Sequence, residues 1–88
     1  FAQELQGRER TQKEINHLIS ELAKGNTNPG MGSEHLNDAG HVMYARGRNG
    51  GRVYYILHGS EAYEILGYSD KNNQERVIRY LREKYNRH

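Results

Sequence analysis

Eighty-eight residues with a net charge of +2 make one small domain, too short for two independent cores. With 34% hydrophobic residues and a mean hydropathy of -1.08 the core is lean, and tyrosine, seven of the eight aromatics, carries much of its large apolar area. The absence of cysteine excludes a disulfide scaffold and a thiolate metal site, and apolar runs of only a few residues exclude a membrane-spanning helix. Starting at Phe1, the chain reads as a piece cut from a longer protein.

Thr11-Gln12-Lys13-Glu14 has the form of a capping box, a hydroxyl three residues ahead of a carboxylate. Behind it Ile15, Leu18, Ile19, Leu22 and Ala23 fall on one helical stripe that stops at Gly25. Residues 2–10 read as a separate preceding helix, so the chain opens with one helix or two. Residues 25–40, GNTNPGMGSEHLNDAG, form a long connection for so small a domain, and such segments tend to be functional. A short helical turn is expected around residues 34–36.

Three strands are predicted next, at residues 41–47, 52–58 and 61–67. Asn49-Gly50-Gly51 and Gly59-Ser60 join them into an antiparallel meander. Ser69 or Asp70 caps a last helix whose apolar stripe is Val77, Ile78, Leu81 and Tyr85, beside Arg76, Arg79, Arg82 and Lys84. The expected fold is α+β: an N-terminal helix or two, a three-stranded antiparallel meander and a C-terminal helix.

Charge is uneven along this order. Residues 1–40 hold four basic residues against six acidic, a balance of -2, and residues 41–88 hold nine against five, a balance of +4. A basic C-terminal half fits an anionic partner, nucleic acid first, as well as it fits a solvated surface.

The densest basic stretch is YARGRNGGRVYY, residues 44–55. Side chains alternate across a strand, so loop length decides which of these residues share a face. A two-residue Asn49-Gly50 loop mixes Arg46 and Arg48 with Val53, Tyr55 and Leu57. A three-residue Asn49-Gly50-Gly51 loop pairs Arg48 with Arg52 and separates the two classes. It leaves Met43, Ala45, Val53, Tyr55, Leu57, Ala62 and Leu66 on one face, with Glu64 the misfit. The other face holds Tyr44, Arg46, Arg48, Arg52, Tyr54, His58 and Tyr63. The three-residue register is the expectation, and its opposed arginines cost stability unless an anion or carboxylate lies between them.

The five histidines show no close ligand spacing, the acids form no evident pair for magnesium, and GNTNPGMG lacks the ending of a P-loop. No metal and no cofactor are expected. Metal-free phosphodiester chemistry fits what remains: a base takes the 2′-hydroxyl proton of RNA, the oxygen attacks phosphorus, and an acid protonates the departing 5′-oxygen. Glu34 or His35 is the candidate base and His58 or Tyr54 the candidate acid. Arg46, Arg48 and Arg52 are candidates to hold the phosphate, with Lys71 and Arg76 adding to RNA binding and Tyr44 and Tyr63 offering rings for stacking.

The I-x-x-L-I-x-x-L helix, the loop N-P-G-x-G-S-E-H-L, the charged hairpin and GGRVYYILHG together resemble the RelE/ParE superfamily of bacterial toxins. They are also similar to the barnase/EndoU/colicin/RelE-type nuclease domains of polymorphic and contact-dependent growth-inhibition toxins. The resemblance covers roughly residues 12–82 and is most specific over residues 40–67. It implies a metal-independent endoribonuclease acting on tRNA or mRNA in the bacterial cytoplasm, held inactive by a cognate immunity protein or antitoxin. Arg46 and Arg48 fall on the family's basic strand, Arg52 on the arginine that begins the next, and Glu34 near the base of some members. The family's opening strand is not evident, and its C-terminal tyrosine or histidine has only Tyr80, Tyr85 and His88 as candidates. These departures favour the branch that cleaves free RNA and is delivered as the end of a secreted toxin. A ParE-type toxin that poisons gyrase without catalysis, and an RNA-binding module, are the alternatives.

Overall fold

The computed structural model describes residues 2–26, 28–58 and 62–85. Its first element is one 22-residue helix, α1 (Ala2–Ala23), rather than two. Thr11 lies in mid-helix, so the capping-box reading of residues 11–14 is corrected, and Glu14 has another use described below. The helix ends as the sequence requires. Gly25 takes φ +96° and donates to Leu22 O, while Asn26 N donates to Glu21 O. These two bonds make a Schellman cap, which needs a residue in the left-handed region.

Four strands follow, not three. β1 (Ser33–His35), β2 (Met43–Arg46), β3 (Arg52–His58) and β4 (Ala62–Ser69) form one antiparallel sheet in the order β1-β2-β3-β4. The helical turn expected at residues 34–36 is therefore the edge strand β1, which pairs Glu34 with Tyr44. A three-residue strand carries too little alternation to be read from sequence. The Gly59-Ser60 connection lies outside the described residues.

The β2–β3 hairpin does have a three-residue loop, but it is Arg48-Asn49-Gly50. Gly47 N donates to Gly51 O at 2.9 Å, and Arg46, not Arg48, stands opposite Arg52. This pairing slips by two residues from the expected one, which preserves the period of two and so keeps each side chain on its expected face. Met43, Ala45, Val53 and Tyr55 pack with Ile15, Leu18 and Leu22 of α1.

The opposite face is not left to water. α2 (Gln74–Tyr85) covers part of it, with Leu36, Ala39, Val42, Tyr54 and Leu81 forming a second buried cluster. Leu36 and Ala39 come from the segment 25–40 read as a functional loop, so part of that segment serves the core. A bulge separates the two clusters along β4: Tyr54 opposes Gly67 while Tyr55 opposes Ile65. The extra residue, Leu66, turns towards α2, and Tyr63 and Ile65 turn towards α1. The expected places of Tyr63 and Leu66 are thereby exchanged. Glu64 is no longer a misfit, because it faces Ile56 and bonds His58 on the α2 side.

α2 begins at a reciprocal cap. Asp70 Oδ1 accepts from Asn72 N and Asn73 N, and Asn73 Oδ1 accepts from Asp70 N at 2.8 Å. Asn73 O receives the first helical bond, from Val77 N. Ser69, proposed as an alternative cap, is buried instead and bonded to Tyr54.

Candidate nucleic-acid interface

The hairpin loop is held from outside by α1. Glu14 Oε2 accepts from the backbone N–H of Asn49 at 2.8 Å and from its side-chain amide at 2.9 Å, and Oε1 accepts from Gly51 N at 2.9 Å. Glycine at 47 makes room for this carboxylate, since a Cβ there would collide with Glu14. Gly50 takes φ +88°, and the aliphatic stem of Lys71 crosses it so closely that a Cβ would strike it. Two distant residues, Glu14 and Lys71, are thus seated against the turn.

Arg46 and Arg52 are directly opposed across β2 and β3. With Arg48, Lys71, Met31 and Gln74 they line a shallow groove of about 310 Å³. Among the described residues, none of these four cations forms an ion pair with a carboxylate; the two ion pairs seen are Lys24–Glu21 and His58–Glu64. Like charges directly across a strand pair repel. The groove is therefore a site of concentrated positive charge that an anion would relieve.

Arg52 also lies over the ring of Tyr44, its Cζ 4.8 Å from the centroid. The Tyr44 hydroxyl donates to Glu34 Oε2 at 2.9 Å. Burial, followed by the bond to Glu34 and that carboxylate's charge, pushes the Tyr44 hydroxyl above its ordinary value of 10.0, against the opposing pull of Arg52 and Arg46. Glu34 is diagonal to Arg46, since its direct partner is Tyr44. Such diagonal neighbours lie about 7–8 Å apart, within reach of long side chains. One carboxylate and a set of cations thus share a face at one end of the sheet.

Of the sequence-derived candidates, Arg46, Arg48, Arg52 and Lys71 meet in the groove, with Glu34 and Tyr44 beside it. His35 pairs with Met43 and so points to the α1 side, which leaves Glu34 as the carboxylate on the cationic face. Tyr54 is fully buried between Tyr44 and α2, and its hydroxyl bonds Ser69 Oγ at 2.8 Å. Burial pushes its hydroxyl above 10.0, partly offset by the Ser69 bond and Arg52. A buried, strengthened O–H is a poor proton donor to solvent-borne RNA, so Tyr54 supports the groove from below.

His58 sits at the far end of β3, about 20 Å from Arg52 at the rise of an extended strand. It lines a different cleft with His41, Lys84 and Tyr85. Tyr63 packs against the α1 cluster and is not on the arginine face. Arg76 lines a third cleft, on the α1 side of the β4–α2 turn. Tyr80 is exposed and Tyr85 half-buried on α2, and His88 lies outside the described residues.

Sequence reasoning missed Glu14 and Gln74. Glu14 carried a signal: it falls next to Ile15 and four residues before Leu18, on the edge of the apolar stripe, where an unpaired carboxylate is out of place. Among the described residues, no group of three histidines, aspartates or glutamates is placed to hold a metal ion, and no helix is long and apolar enough to cross a membrane. No family model, curated protein or solved structure matches the chain.

Proposed function

We propose that the groove binds the phosphate backbone of single-stranded RNA and that the domain cleaves it by metal-independent attack of the 2′-hydroxyl. The observation that carries this reading is the opposition of Arg46 and Arg52, unpaired with any described carboxylate, at a groove shared with Arg48 and Lys71. Guanidinium groups grip phosphate oxygens through two parallel bonds and stabilise the extra charge of a phosphorane-like transition state.

In this scheme the Glu34 carboxylate accepts the 2′-hydroxyl proton, and the 2′-oxygen forms a bond to phosphorus. The bond to the 5′-oxygen breaks, leaving a 2′,3′-cyclic phosphate. Among the groove cations only Lys71 can surrender a proton, because arginine stays charged, so Lys71 is assigned to protonate the departing 5′-oxygen. Tyr44 holds Glu34 in position by its hydrogen bond. This chemistry accords with the RelE/ParE-like and related nuclease toxins that the sequence resembles, and with their control by a cognate immunity protein or antitoxin.

A second reading, RNA binding without cleavage, is favoured by one observation: Tyr44 already occupies an oxygen of Glu34. Incubating the domain with total RNA in EDTA separates the two. Fragments ending in 2′,3′-cyclic phosphate support cleavage, with Lys71→Arg keeping binding and losing rate. RNA retarded in a gel but uncut supports the binding module.

A further inference from the structure

The β4–α2 turn separates two clefts. On one side Lys71 and Gln74 line the arginine groove. On the other side Tyr68, Asn72 and Arg76 line a cleft of about 390 Å³ against Gln12 and Ile15 of α1. Lys71 and Asn72 are consecutive residues, so the lining of one cleft follows directly on the lining of the other along the chain.

The second cleft has the components of a stacking site. Tyr68 is 53% exposed although its neighbours in the strand are half-buried or buried, so a large flat ring lies open to solvent. It opposes Val53, which places it on the α1 side. Among the described residues, the Asn72 side-chain amide and the Arg76 guanidinium have no hydrogen-bond or ion-pair partner within the protein. Asp70, whose Oδ1 accepts from the Asn72 and Asn73 backbone, also lines the cleft. An amide and a guanidinium fork beside an open ring match the edge and face of an unpaired base.

We propose that this cleft is a nucleobase subsite, in which Tyr68 stacks on an unpaired base adjoining the phosphate held by the arginines, while Asn72 and Arg76 contact its edge. This proposal rests on the reading of the groove as an RNA phosphate site. It makes Tyr68 a source of base affinity separate from the residues that hold phosphate, with Asn72 and Arg76 reading the edge.

The test uses two 2′-O-methyl RNA trinucleotides, which cannot be cleaved, one with a normal central base and one abasic there. Affinity of the intact domain is measured for each. The base-bearing strand is expected to bind about tenfold more tightly, the scale of one base–aromatic stack. Tyr68→Ala is expected to bring the two affinities together, and Tyr68→Phe to keep them apart. Arg52→Ala is expected to weaken both strands equally, leaving their ratio intact. If both strands bind the wild type equally, or Tyr68→Ala leaves their ratio unchanged, the subsite is overturned while the phosphate groove stands. If neither strand binds, the groove reading fails and the subsite with it.

Discussion

Glu14 of α1 grips Asn49 of the hairpin twice, accepting from its backbone N–H at 2.8 Å and its side-chain amide at 2.9 Å. Thirty-five residues apart, they join the first helix to the turn between Arg46 and Arg52. Hydrogen bonds to a charged acceptor contribute about 1.5–3 kcal/mol each at most, and these are partly exposed. Glu14→Ala is therefore expected to lower stability by about 1–2 kcal/mol in urea denaturation. It should also accelerate amide exchange at Asn49 and Gly51, with little change at Val53.

Gly47 exists to admit that carboxylate, because a Cβ there would meet Glu14. Gly47→Ala should destabilise the wild type by displacing Glu14. Combined with Glu14→Ala it should cost much less than the sum of the two, since the shared contact is already gone. A double-mutant cycle on unfolding free energies checks this, and strict additivity would show that the two residues act separately.

Arg46 and Arg52 are expected to act as phosphate contacts rather than as structural props. Each alanine substitution should reduce the slope of log affinity for single-stranded RNA against log salt by about 0.7. Arg79, exposed on α2 and away from the groove, should leave that slope unchanged on substitution. Arg52→Lys should recover part of the affinity but lose the planar fork and its contact with Tyr44.

Alkaline unfolding should report the buried Tyr54. Its hydroxyl titrates above 10.0 in the folded protein because burial disfavours the phenolate, whereas the unfolded chain releases that proton near 10.0. The folded state therefore holds the proton more tightly. Its contribution is complete below pH 10 and declines as pH rises through 10 towards the folded value. Tyr44 is shifted in the same direction, first by its own partial burial. Tyr54→Phe should be less stable at pH 7 by about 1 kcal/mol for the lost Ser69 bond. It should nevertheless lose less than the wild type between pH 9 and 11, measured by urea midpoints.

The two long amphipathic patterns were legible in the sequence: the stripes of Ile15, Leu18 and Leu22 and of Val77, Ile78 and Leu81 are the ones that pack. So was the division of β2 and β3 into an apolar and a cationic face, because a slip of two residues preserves it. Local signals misled where long-range packing decided the outcome. Thr11 and Glu14 have the spacing of a cap, yet the helix runs through them and Glu14 is drawn to the hairpin amides. β1 is too short to show a period, and the bulge at Leu66 reverses the faces of Tyr63 and Leu66; Gly67 beside it marked the bulge but was read as the end of the strand. Tyr54 looked like a surface phenol because the sequence did not reveal that Leu36, Ala39 and Val42 would roof it together with α2. The arginine cluster could be read; the distance of His58 from it depended on strand length alone.

The most direct test of the groove as a ribonuclease site is the initial rate of cleavage of a single-stranded RNA in EDTA. It is measured for the wild type, Glu34→Gln and Arg52→Ala, with folding checked by circular dichroism. Rates about 100-fold lower in both variants, with unchanged spectra, are expected if Glu34 takes the proton and Arg52 stabilises the transition state. Full activity in both variants, or a folded wild type that leaves the RNA intact, would contradict it.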